Sequence, residues 1–269
     1  MILFCTLSVS VLQAKVYVWV DGYGQKHYSD RPRNGAQELA IHPGYSWYTI
    51  KRVYDGDTVL LQNGQKIRFS GINTPEVEGR YKSAEPGGEE AKQWLIQRLK
   101  GQKIRLETGL EKKDKYGRLV AHVFSEDGEH INLELVRKGL AFVTLHPPNL
   151  KYSQALLDAQ LQAETSLSGI WGRAFYQAKP YNEVKGHYKK GWNRITGVIT
   201  KIKPTRHNIY LKFSDKFAVK INRKFQELFP DFNQYLNKKV EVRGWLNKSR
   251  YGFNLMLRHP ASIRLLNGN

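Results

Sequence analysis

The chain has 269 residues, 41% of them hydrophobic and 12% aromatic, which excludes a disordered polypeptide and supplies apolar side chains for about two packed domains. Its formal charge of +19, from 43 basic and 24 acidic residues, calls for a polyanionic partner, either nucleic acid or an anionic membrane surface. That charge is lopsided: from Lys185 onward there are 19 Lys and Arg against four acids.

The run Ile2 to Leu12 is apolar, holds Cys5 and ends in Val11-Leu12-Gln13-Ala14. It resembles the later part of a secretory signal peptide, so residues 1–14 are expected to be removed, a buried N-terminal strand being the alternative. Past this run, no stretch approaches the roughly 18 apolar residues of a membrane span, and no stable membrane insertion is expected. Cys5 is the only cysteine, so the mature chain would have no disulfide.

Residues 15–45 predict a small β-hairpin domain. Val16-Tyr17-Val18-Trp19-Val20 alternates, Asp21-Gly22-Tyr23-Gly24 is turn chemistry, and Lys26-His27-Tyr28-Ser29 returns. The series from Trp19 to Pro32 resembles a short domain of unknown function that often follows the signal peptide in exported Gram-negative proteins. His27 is a possible ligand, though a structural hairpin histidine fits the pattern better.

Residues 46–179 are rich in strands and then in helices. Strands are predicted at 49–53, 58–62, 66–70, 103–107 and 119–124, with Asn63-Gly64 as a tight turn. Helices are predicted at 89–99, at 133–138 with Asn132 as N-cap and Gly139 as stop, and at 153–167. Together they make an α+β, mainly β unit: a five-stranded barrel of the oligonucleotide/oligosaccharide-binding (OB) type with three helices. A polar linker is expected at 180–191, then a second OB-like barrel over 192–269 with a helical stretch at 225–235. Tyr210, Phe213, Phe217, Trp245, Tyr251 and Phe253 stand among its basic residues, a pattern that suits base stacking along a charged groove; most such aromatics belong to the core.

Two acidic clusters beside arginines carry the chemistry: Asp55-Gly56-Asp57-Thr58, then Arg68 and Asn73-Thr74-Pro75-Glu76, and later Asp114-Lys115-Tyr116-Gly117-Arg118. Carboxylates hold a hard metal ion and deprotonate water, while guanidinium groups clamp phosphate oxygens and stabilise growing charge. Both in one site imply metal-assisted attack on a phosphodiester. Each cluster alone is also an ordinary turn, and salt bridges between these arginines and acids are the plain structural alternative.

In this order the motifs resemble the thermonuclease family, of which staphylococcal nuclease is the familiar member. The likeness runs from about Ile50 to Trp171 and includes Leu135-Val136-Arg137-Lys138-Gly139-Leu140-Ala141 and Ile170-Trp171. The resemblance implies a calcium-dependent nuclease that cuts DNA and RNA and leaves 3′-phosphates. By position, Asp57 would ligate calcium with the Thr74 carbonyl, and Asp55 would be a nearby acidic group. Glu76 would be the general base, Arg68 and Arg118 would grip the scissile phosphate, and Lys115 and Tyr116 would contact the terminal phosphate or sugar. Asn73 stands where the family usually has an aspartate ligand, which predicts weaker calcium binding. A tyrosine of the family's nucleotide pocket is replaced near Leu145.

The resulting expectation is an exported nuclease, secreted or periplasmic in a Gram-negative bacterium, monomeric and favouring single-stranded DNA or RNA. One alternative is a nucleic-acid-binding protein whose metal site has decayed. Another is a surface protein that binds anionic polysaccharide or lipid.

Overall fold

The computed structural model describes residues 16–29, 31–39, 46–79, 83–184, 191–250 and 252–266. The apolar run with Cys5, Tyr251 and half of the expected linker (185–190) lie outside the described residues. The chain divides into two units, Met1–Ser46 and Trp47–Asn269.

In the first unit β1 (Val16–Val20), β2 (Lys26–Ser29) and β3 (Gln37–Leu39) form a sheet in the order β2-β1-β3. The predicted hairpin is present, joined by a third strand too short for its alternation to be visible in sequence. His27 Nε2 donates to the Asp21 carboxylate at 2.7 Å, and the ring stacks on Trp19, whose ring also meets Arg33. These contacts give His27 a structural role.

The second unit opens with β4 (Trp47–Asp55), β5 (Thr58–Leu61) and β6 (Lys66–Phe69), followed by the short β7 (Ile72–Asn73) and helix α1 (Gly88–Leu99). Then come β8 (Lys103–Lys113), β9 (Leu119–Ser125), α2 (Ile131–Arg137), β10 (Phe142–Val143) and α3 (Ser153–Thr165). Five of these strands close a barrel in the order β4-β5-β6-β9-β8. Alternate positions turn Val59, Leu61, Ile67, Phe69, Ile104 and Val123 inward, all essentially inaccessible to solvent. Each such side chain contributes roughly 1.5–3 kcal/mol of apolar burial. Leu95 and Leu99 of α1, and Leu135 of α2, cap the same core. Helix α2 starts earlier than expected, and Asn132 is inside it rather than its cap. Its buried amide accepts from Val123 N at 2.9 Å and donates to Ser70 O at 2.9 Å, pairing backbone groups that would otherwise be orphaned.

The remaining strands are β11 (Lys179–Pro180), β12 (Gly191–Val198), β13 (Lys201–Pro204), β14 (Asn208–Ser214), β15 (Phe217–Asn222), β16 (Lys239–Ser249), β17 (Gly252–Leu257) and β18 (Ile263–Leu265). The sheet runs β11-β12-β16-β17-β15-β14-β13, with β18 on β16. Strands β12 and β13 are consecutive in the chain, so one interrupted strand borders both ends of the path. With the parallel β15–β17 pair, this repeats the pairing order of the first barrel, where β6–β9 is the parallel pair. The helical stretch expected at 225–235 is two short 3₁₀ turns, Arg223–Leu228 and Phe232–Tyr235, because Pro230 lies between them.

The two β units share a core. Trp192 of β12 stacks on Phe142 of β10 at 4.2 Å and packs with Trp171, Ile170 and Tyr176. Beside it Arg243 of β16 forks onto Glu164 of α3 at 2.5 and 2.8 Å and also reaches Glu241 at 2.7 Å. Burial alone would raise the Glu241 carboxyl, but Arg194, Arg243 and Arg264 outweigh it and hold it at about 2.

Candidate active site

Asp55 and Asp57 flank the turn between β4 and β5. The Asp55 carboxylate accepts the Asp57 N–H at 3.1 Å, which holds the turn closed. Gly56 is required here by space: a Cβ would lie 2.7 Å from both Ala91 of α1 and Thr74. The acidic turn is thereby pressed onto the helix and onto the Asn73-Thr74 loop. Pairing of β7 with β10, Asn73 opposite Phe142, fixes that loop from the other side.

Register then delivers the first arginine. Thr58 pairs with Arg68, so the guanidinium emerges beside Asp57, with Nη1 at 2.9 Å from its carboxylate. Arg68 Nη2 donates to Asn73 Oδ1 at 2.7 Å, and Asn73 Nδ2 donates to Thr74 O at 2.7 Å. Asp57 accepts also from Thr74 N and Thr58 Oγ1. Burial pushes its carboxyl up to about 7; Arg68 pulls down against this, and the Asp55 carboxylate adds to the rise.

The second arginine arrives on the β8–β9 hairpin. Asp114 accepts the backbone N–H groups of Tyr116 and Arg118 and the Arg118 Nε, at 2.9, 3.0 and 2.7 Å. Asp114 therefore shapes the hairpin and aims Arg118, whose guanidinium lies 5.5 Å from the Tyr116 ring centroid. Glu76 is held through its backbone: its N–H donates to Glu85 Oε2, and its carbonyl accepts from Glu85 N. Gly88 at the start of α1 passes so close that a Cβ would sit 2.3 Å from that carbonyl.

One cleft of about 250 Å³ is lined by Asp55, Asp57, Arg68, Asn73, Thr74, Glu76, Tyr116 and Arg118, together with Thr58 and Trp245. Lys115 is not among its lining residues and borders two adjoining clefts instead. Trp245 of β16, read in sequence as one aromatic among several in a basic barrel, enters this cleft from the second β unit. Nothing local in the sequence marks it, because only the packing of the two units brings it there.

Asp55, Asp57, Asn73, Thr74 and Glu76 offer only oxygen donors, the chemistry of a hard divalent cation. Among the described residues, no three His, Cys, Asp or Glu side chains gather into a ready ligand cluster. A cation would draw on the two turn carboxylates, completed by neutral oxygens and water. The crowded Asp55–Asp57 pair fits such a charge.

The family model described as Staphylococcal nuclease homologue matches residues 66–173, and that of a domain of unknown function, DUF4124, matches residues 3–46. The thermonuclease of Staphylococcus intermedius is 39% identical over 129 residues, 47% of this chain and 76% of that protein. The chain belongs to the staphylococcal nuclease family. The thermonuclease of Staphylococcus hyicus is 36% identical over 127 residues, covering 46% of this chain and 75% of its own length. Endonuclease YncB of Bacillus subtilis is 35% identical over 134 residues, 48% of this chain and 63% of that protein. This family member is a nuclease, a hydrolase with nucleic acid as its substrate class. Among the described residues no helix is long and apolar enough to cross a membrane.

Proposed function

We propose that the protein is a calcium-dependent nuclease that hydrolyses phosphodiester bonds of DNA, RNA or both, favouring single strands. The observation that carries this is the shared cleft: two carboxylates, two arginines and Glu76 border the same 250 Å³. Asp55, Asp57, Asn73 and the Thr74 carbonyl would hold the ion, which when bound supplies Lewis-acid polarisation of a phosphate oxygen. Glu76 accepts a proton from the attacking water. Arg68 and Arg118 donate to the non-bridging phosphate oxygens and stabilise the extra negative charge of the pentacovalent transition state. Lys115 and Tyr116, at the mouth of the site, contact the terminal phosphate or sugar. An exported location, secreted or periplasmic, accompanies this reading and is supported by the N-terminal apolar run.

Digestion of single-stranded DNA and RNA against a calcium titration, with and without EGTA, tests the proposal. Wild type should cut at millimolar calcium and stop in EGTA. Glu76→Gln should lose about 10²–10⁴-fold in kcat while still binding strand. Cleavage undiminished in EGTA would overturn the calcium assignment, and full turnover by Glu76→Gln would remove the general base. A second reading, a nucleic-acid-binding protein with a weakened metal site, is favoured by one observation. Asn73 spends its carbonyl oxygen on Arg68 and its amide on Thr74.

A further inference from the structure

We propose that the second β unit completes the substrate channel: Trp245 stacks a nucleobase adjoining the scissile phosphate, and Arg258 binds a neighbouring backbone phosphate. This rests on the nuclease reading of the cleft and adds a binding subsite to it.

Trp245 borders the cleft that holds Asp57, Glu76 and Arg118, and it also borders a cleft of about 480 Å³ running between the two β units. The two clefts share Trp245, Arg68 and Asn73 as walls. The lining of the larger one includes four cations, Arg68, Lys115, Arg243 and Arg258, and no Asp or Glu. A polyanionic strand matches that charge.

Trp245 is built as a platform. It pairs in register with Trp192, whose ring is buried in the shared core, and its own ring meets Phe142 edge-on at 6.2 Å. Yet 36% of the residue stays exposed. An indole secured at one edge and open at the other loses little entropy when a base covers it, and stacking is tolerant of base identity.

Arg258 supplies the charge. Among the described residues Arg258 hydrogen-bonds His146 Nε2 at 2.8 Å and meets no carboxylate. Burial, then the nearby Arg258 and Arg68 charges, hold His146 down at about 4, so at neutral pH it is an uncharged acceptor that leaves the Arg258 charge uncompensated. Arg243, by contrast, is occupied by Glu164 and Glu241.

The test uses the full chain in the Glu76→Gln background with calcium, and a single-stranded oligodeoxynucleotide carrying 5-iododeoxyuridine. Irradiation should cross-link the strand to the peptide containing Trp245. Trp245→Ala should raise the oligonucleotide Kd about 5- to 150-fold, the range of base–aromatic stacking, while Trp245→Phe retains most of the affinity. Arg258→Gln should lower the log–log salt slope by about 0.7, one phosphate contact on a single strand. Cross-links confined to other aromatics, or Kd unchanged in Trp245→Ala, would overturn the proposal. Should Glu76→Gln still cut, the base assignment falls, while the cross-linked peptide still decides the subsite.

Discussion

Asn73 concentrates the chemistry of this site at the scale of one residue. An aspartate there would present a second lone-pair oxygen to Thr74 O, whereas the amide donates to that carbonyl and simultaneously accepts from Arg68. Two side chains and a loop are thus tied together without a third carboxylate beside Asp55 and Asp57. Asn73→Asp should therefore lower the calcium concentration for half-maximal cleavage about tenfold, because added ligand charge strengthens calcium sites. The calcium titration of the variant measures it, and an unchanged or higher requirement would show that Asn73 serves the Arg68 contact alone. Gly56 is as constrained by space as Asn73 is by hydrogen bonding. Its spacing was readable in the Asp-Gly-Asp-Thr motif, but its closeness to Ala91 was not, since that depends on where α1 lands.

At the scale of elements, a barrel strand such as Lys66 to Phe69 was legible because apolar inward positions alternate with polar outward ones, and Thr58 to Leu61 because it is a short β-branched and apolar run. Buried polar pairings were not. Asn132 reads as an N-cap until β9 and Ser70 are placed against it, and Trp245 reads as generic until β16 is docked. The β9–α2 corner shows a further buried pairing, with His122 Nδ1 and His130 Nε2 at 3.1 Å. Burial lowers both imidazoles, to about 4 and about 3. For a histidine depressed in the folded state, the unfolded chain takes up protons first. Stability is therefore full above about pH 6.5 and is lost as pH falls toward 4 and then 3. Glu241, held at about 2, keeps its contribution until pH drops below its unfolded value near 4.5. Urea unfolding at pH 7, 6 and 5 should show a loss approaching about 1.4 kcal/mol per pH unit for each of the two histidines, or about 2–3 kcal/mol for the pair between pH 6 and 5. A flat profile over that range would mean that this corner admits protonated histidine.

The whole molecule carries its positive charge in a pattern that sheet register makes plain. Lys203 pairs with Tyr210, and Tyr210 with Lys220, so a Lys-Tyr-Lys row crosses three adjacent strands. Phe253 and Lys216 share the same groove of about 580 Å³. Of the six aromatics singled out in sequence, Phe213 and Phe217 are core, and Tyr210, Trp245 and Phe253 retain exposed surface. Deleting residues 185–269 would strip Trp192 from Phe142 and Arg243 from Glu164, so charge reversal in the intact chain is the cleaner probe. Lys203→Glu with Lys220→Glu should flatten the salt dependence of single-strand binding by about 1.4 in log–log slope, at roughly 0.7 per phosphate contact. An unchanged slope would place the polyanion elsewhere.

Arg68 lines the 250 Å³ cleft, the channel between the β units and a third cleft of about 390 Å³ that includes Tyr116, Lys224 and Arg258. One guanidinium has only so many N–H groups to share. With Arg68 as the proposed clamp of the scissile phosphate, a cleaved end held in any of the three clefts would draw on those same donors. On the proposed reading, departing product would compete with incoming substrate for the same guanidinium.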